Sequence, residues 1–153
     1  MIRAAAAQEQ RGFEEARSKV PADQPWINNR ASAVLAVGAE ILAARAANSP
    51  ALAVPRWQRA VELQDALVYD EPPPWYYPVR ESLGTELIRA GRAAEAEAVF
   101  REGILRTPRN GRMLFGLMES LRNQGKSEAA ELVRREFEAA WLKADVKLTL
   151  DLL

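Results

Sequence analysis

The chain has 153 residues, enough for one domain with a real core. Its 21 Lys and Arg balance 21 Asp and Glu, so no net field draws it to nucleic acid or to an anionic membrane. With no Cys and no His it has no disulfide, no thiolate nucleophile, no Ser-His or Cys-His catalysis and no Cys/His site for zinc or haem. Ala, Leu, Glu and Arg dominate while Val, Ile and Thr are sparse, which predicts an all-α fold. Residues 2–20 read as a first helix with Ala6, Phe13, Ala16 and Val20 on a thin apolar stripe, too weak to stand without docking on a neighbour. The loop VPADQP follows. Residues 26–47 read as a second helix with Val34, Leu35, Gly38, Ile41 and Leu42 on one side. Ser49 then caps and Pro50 opens a third helix, running to about residue 68 with Ala53, Trp57, Ala60, Leu63 and Leu67 inward.

The segment YDEPPP, residues 69–74, carries three consecutive prolines and reads as a stiff spacer, with a proline-rich ligand as the sharper alternative. Residues 77–110 read as two helices. One carries Leu83, Gly84, Leu87 and Ala90, the other Ala96, Val99, Phe100 and Ile104, with Gly91 at the turn and Pro108 closing the second. Residues 111–144 read as a closing hairpin with Leu117, Met118, Leu121 and Ala130 at equivalent positions and Gly125 at its turn. Its last helix has a displaced stripe of Val133, Phe137, Ala140 and Trp141. The tail, residues 145–153, ends in VKLTLDLL, apolar for a chain end and expected to fold back onto the closing hairpin.

Residues 77–110 resemble a tetratricopeptide repeat, a helix–turn–helix unit of roughly 34 residues. Leu83-Gly84, Leu87, Gly91, Ala96, Phe100 and Pro108 match its Leu-Gly, apolar, turn, small, aromatic and proline sites; Arg80 and Gly103 depart from it. Residues 26–68 form a looser repeat and residues 111–144 an atypical terminal one. The resemblance implies a short α-solenoid of about three hairpins plus the N-terminal helix, about seven helices in one domain. EPPPWYYP, RESLG, AGRAAEAEAVFRE and NGRMLFGL further resemble the C-terminal end of larger bacterial repeat proteins, a group with no biochemical role to carry over. The first helix then reads as half of an absent hairpin, or as an open end that pairs with a copy of the chain.

The resemblance also implies a concave face lined by the first helix of each hairpin, at Pro78, Glu81, Thr85, Ile88 and Arg89, then Arg112, Phe115, Glu119, Arg122 and Asn123. This strip is either a peptide groove or a solvated wall. Glu81 and Thr85 stand where carboxylate-clamp repeats carry Lys and Asn, and Glu81 repels a terminal carboxylate. The cluster Trp75, Tyr76, Tyr77 and Arg80 is either a binding hot spot or the anchor of a helix leaving a stiff loop. Asp65, Asp70, Glu71 and Glu81 near the proline segment are a conceivable acid/base group, but nothing in their spacing demands catalysis. Acidic residues interrupt the Arg-rich strips and no stacking series repeats, which argues against nucleic acid. No apolar run approaches the about 20 residues of a membrane span, and MIRAAAAQEQ lacks the core of a signal peptide, so a cytoplasmic location is expected. The expectation is a non-catalytic module without cofactor or metal that binds a protein or peptide segment. The alternative is a self-associating or structural C-terminal domain of a larger repeat protein, dimerising through the N-terminal helix. A small ligand beside Trp75–Arg80 is a third option.

Overall fold

The structure, a computed structural model, describes residues 2–153, and their side chains from residue 7 onward. Ala6 of the expected stripe lies outside the described side chains. The described residues are all-α, with seven α-helices, and they divide into two compact units, Met1–Val79 and Arg80–Leu153.

The first unit holds α1 (Ile2–Ser18), α2 (Ala31–Ala46) and α3 (Pro50–Asp65). Helix α1 packs on α2, and α2 pairs with α3 along its length. Val34, Val37, Ile41 and Ala44 are buried on α2, and Ala53, Val54, Trp57, Ala60 and Val61 on α3. Pro50 opens α3 at its first turn as expected, while the Ser49 side chain makes no cap bond.

Three boundaries differ from the sequence expectation for one physical reason: polar side chains distant in sequence capture the backbone. The second helix starts at Ala31 rather than 26, because residues 25–30 form a two-residue antiparallel ladder, β1 (Pro25–Trp26) on β2 (Asn29–Arg30), around Ile27 at φ 53°. Its turn is tied to the far end of the unit. Asn28 Nδ2 and Asn29 Nδ2 donate to the two oxygens of Asp70 at 2.5 and 2.7 Å, and Asn29 Oδ1 accepts from the Val68 N–H at 2.8 Å. Such side-chain bonds compete with helix, and the third helix accordingly stops at Asp65, short of residue 68. Gln64 then handles the segment where a helix was expected from residue 77. Its Nε2 donates to the Tyr77 carbonyl at 2.8 Å and its Oε1 accepts from the Val79 N–H at 2.9 Å. Pro78 disfavours helical geometry in the residue before it, and α4 begins only at Arg80.

The second unit holds α4 (Arg80–Arg89), α5 (Ala93–Arg106), α6 (Gly111–Asn123), α7 (Ser127–Trp141) and a 3₁₀ turn (Leu150–Leu152). Each helix packs on the next, and α4 also meets α6. Gly91 and Gly125 take φ of 73° and 71° after α4 and α6. The following N–H groups, of Arg92 and Lys126, reach back to the Leu87 and Leu121 carbonyls at 2.8 and 3.0 Å, closing both helices with the same six-residue loop-back. Leu83, Leu87, Ala96, Phe100, Leu117, Met118, Leu121 and Ala130 are buried, matching the expected stripes. The stripe on α7 is looser than expected. Val133, Phe137 and Trp141 are half-buried and Ala140 is exposed, since no further helix of the described unit covers that side.

Phe100 on α5 is fully buried and touches two glycines, Gly84 on α4 and Gly116 on α6. A Cβ at Gly84 would stand 2.5 Å from the ring's Cε2, and one at Gly116 would stand 2.7 Å from Cδ1. Neither position admits alanine unless the ring moves. Intrinsic helix propensity alone would make Gly84→Ala stabilising by about 1 kcal/mol; the overpacked ring reverses the sign. Urea unfolding of Gly84→Ala is expected to show a loss of about 1–3 kcal/mol, and an increase in stability would remove the ring from this role.

Glu97 ties α5 to the α6–α7 turn. It accepts from Lys126 Nζ at 2.8 Å, from Gln124 Nε2 at 2.9 Å and from Arg101 Nε at 2.8 Å. The Lys126 bond, followed by those of Gln124 and Arg101, outweighs desolvation and lowers the carboxyl from 4.5 to about 2. A carboxyl depressed in the folded state contributes stability in full above pH 4.5 and loses it between there and about pH 2. Glu97→Gln is therefore expected to lower stability at neutral pH by on the order of 1 kcal/mol and to flatten the acid limb in that window, as read by denaturant titrations at several pH values.

Candidate functional site

The strip expected to line a groove divides into two layers in the second unit. Glu81, Thr85 and Ile88 on α4 are buried, at 2%, 3% and 8% exposure, so they form the foundation of the face and not its surface. Thr85 Oγ1 donates to the Glu81 carbonyl at 3.0 Å, a bond internal to the helix. The Glu81 carboxylate accepts from Arg112 Nε at 2.5 Å and from Asn110 Nδ2 at 3.2 Å. Asn110 in turn caps α6, its Oδ1 accepting from the Arg112 and Met113 N–H groups at 2.9 and 3.2 Å. One asparagine thus starts a helix and holds the neighbouring helix's buried acid.

The outer layer is Arg89, Arg112, Phe115, Glu119 and Arg122. Arg89 lies between Glu86 at 3.4 Å and Asp151 at 2.6 Å. Glu119 pairs with Arg122 at 2.7 Å, and Asn123 Nδ2 donates to the Glu119 carbonyl at 2.9 Å. Phe115 is half-buried, its ring 5.5 Å from that of Phe137, which stacks on Trp141 at 6.0 Å. Pro78, expected at the start of this strip, is half-buried in the first unit, before the helix begins.

Residues 146–153 lie along this face. Trp141 Nε1 donates to the Val146 carbonyl at 2.7 Å and turns the chain back. Leu148 is buried at 6% exposure, and Leu150 and Leu153 are half-buried. The Asp151 carboxylate pairs with Arg89, the Leu152 carbonyl accepts from Arg112 Nη2, and the Leu153 carbonyl accepts from Ser82 Oγ at 3.4 Å. The tail therefore reaches α4 as well as α6, and not only the closing hairpin on which it was expected to fold. Sequence reading missed Ser82 and the tail as parts of the site. The signal was the alternation of Leu148 and Leu150 with polar residues, an extended pattern with one apolar side.

The aromatic cluster is anchored in the first unit. The Trp75, Tyr76 and Tyr77 rings are mutually in contact, with centroids 4.9–6.3 Å apart. The Trp75 ring stands against Gly38 of α2, next to Phe13 of α1. Tyr76 is 83% exposed, while Trp75 Nε1 and Tyr77 Oη are buried without a hydrogen-bond partner among the described residues. The tyrosine that meets Glu71 is Tyr69, outside the cluster: its hydroxyl donates to the carboxylate at 2.5 Å, and that bond raises the tyrosine's pKa above its ordinary 10.0. Arg80, grouped with the aromatics in sequence, is buried in the second unit, with Nη2 2.7 Å from Glu102 of α5.

Of the carboxylates considered for acid/base chemistry, Asp70 is held by the two asparagines, Glu71 by the Tyr69 hydroxyl, and Glu81 by the arginine and Asn110. Among the described residues no group of His, Cys, Asp and Glu could hold a metal ion, and no helix is long and apolar enough to cross a membrane.

No family model matches the chain. A stretch of 62 residues, 39% of the chain, is 39% identical to an uncharacterized protein of Aquifex aeolicus (strain VF5) and spans 8% of that protein's length. No solved structure matches.

Because Glu81 is buried and Arg112 is its charged partner, Arg112→Ala leaves an uncompensated acid and is expected to cost about 2–3 kcal/mol in denaturant unfolding. Adding Glu81→Gln, which keeps an acceptor for Asn110, is expected to restore a substantial part of that loss. No recovery in the double variant would mean that the ion pair is not what holds the face together.

Proposed function

We propose that the chain is a non-catalytic interaction module built from tetratricopeptide-like hairpins, and that the α4–α6 face of its second unit binds a segment of another protein chain. The observation that carries this reading is that the face already accepts a chain segment, residues 148–153 ending in a 3₁₀ turn, through Arg89, Arg112 and Ser82. Side-chain donors on two adjacent helices, aimed at backbone carbonyls and one carboxylate, are the equipment of peptide recognition. Asp70, Glu71 and Glu81, three of the carboxylates that acid/base chemistry would draw on, are engaged in structural bonds, which favours binding over catalysis.

Self-association through α1 is the alternative from another class. The half-buried Phe13 of α1 is already placed beside Gly38 of α2, which favours the peptide reading. The expected cytoplasmic location belongs to the same proposal, as does the likeness to the end of a larger bacterial repeat protein.

The test avoids Arg112, whose removal disturbs Glu81. Peptides selected from a displayed library against the full chain are measured on wild type and on Arg89→Glu/Arg122→Glu, with circular dichroism as the fold control. The expected outcome is a loss of about tenfold or more in affinity, ~1.4 kcal/mol, with helicity unchanged. Equal binding by both proteins would remove this face from the reading. A stable dimer by light scattering, abolished by substitutions in α1, would favour the alternative.

A further inference from the structure

Residues 146–153 do more than close the fold. They are held at one end by the Trp141 indole, at the middle by burial of Leu148, and beyond it by contacts that any suitably spaced segment offers: the Asp151 carboxylate on Arg89, the Leu152 carbonyl on Arg112 and the Leu153 carbonyl on Ser82. Two of these three are to backbone, so they set register without requiring a particular side chain. Specificity falls to the leucines and the acid. The Asp151–Arg89 pair is open to solvent, with the Asp151 side chain 87% exposed, and such pairs contribute little net attraction. Asp145, Val146 and Lys147, which lead into the tail, are exposed as well. The tail is thus seated by transferable contacts and weakly locked.

We propose that residues 146–153 are a built-in competitor for the α4–α6 face, and that the partner is a protein segment of the same chemistry: alternating leucines running into Asp-Leu-Leu in a short 3₁₀ turn, which binds by displacing the tail. This rests on the peptide-binding reading above and adds the ligand's chemistry and its control. Of the outer layer's arginines, Arg89 meets the segment's one acid, while Arg112 and Arg122 also pair with Glu81 and Glu119. The intervening residues 142–145 are few, so the tail closes on its own chain at high effective concentration, which disfavours exchange with a second copy. A partner must then overcome the closed population, and its apparent affinity falls by the fraction of chains that are open.

The test uses the full chain and a fluorescein-labelled peptide with the sequence of residues 145–153. Anisotropy titrations compare wild type with Leu148→Asp/Asp151→Lys, whose tail is released. The released variant is expected to bind the peptide about tenfold or more tightly than wild type does. Adding Arg89→Glu to it is expected to lose that gain, and a peptide with Lys at the position of Asp151 to recover it. Should the double variant fail to fold, Asp151→Lys alone alters only an exposed side chain. In that variant Arg89 faces a like charge in place of a weak attraction, and peptide binding is expected to tighten. Equal binding to closed and released chains overturns the proposal, and so does concentration-dependent dimerisation of wild type by tail exchange. If library-selected peptides bind through Arg89 and Arg122 and the tail peptide does not compete with them, the competitor proposal fails while the peptide-binding reading stands. If neither peptide depends on Arg89, both fail.

Discussion

The second unit depends on one ring. Phe100 leaves α5 into a space bounded by Gly84 of α4 and Gly116 of α6, where there is room for an aromatic face only because both neighbours lack a side chain. A lone α4–α5 hairpin would leave that ring open on its far side. Helix α6 is needed to cover it, through Gly116. The contact that shields the ring also sets α4 beside α6, and thereby sets Arg89 and Ser82 beside Arg112.

Polar keys, rather than apolar mass, fix the remaining geometry. The helices are rich in Ala, whose burial brings small gains. In the second unit Glu81 is held by Arg112 and Asn110, Arg80 by Glu102, and Glu97 by Lys126, Gln124 and Arg101. In the first, Asp70 is gripped by Asn28 and Asn29. Buried ionic and amide groups of this kind add less stability than an apolar replacement would, but they penalise every register in which they are unpaired.

The parts of this architecture legible in the sequence are those encoded within a few residues. Apolar spacing located the helices, Gly91 and Gly125 marked two turns that require positive φ, and the small-and-aromatic pattern of Gly84, Ala96 and Phe100 located the packed hairpin. What stayed hidden was encoded between distant residues. The starts of α2 and α4 moved because Asn28, Asn29 and Gln64 take backbone and carboxylate partners that no local window contains. The position of the candidate face was legible but its depth was not. Glu81 and Thr85 carry polar side chains that read as surface, yet both are buried, Glu81 against Asn110 and Arg112. The tail's leucines announced an apolar edge without an address.

Arg112 divides its guanidinium between two customers: Nε serves Glu81 below, and Nη2 serves the Leu152 carbonyl above. Withdrawal of the tail frees one edge of that planar fork and leaves the other clamped to an acid that cannot leave the interior. The vacated surface therefore keeps its arginine aimed and its rotamer chosen. On the proposed reading, a segment that displaces the tail meets an arginine already aimed, and most of the entropy of docking falls on that segment.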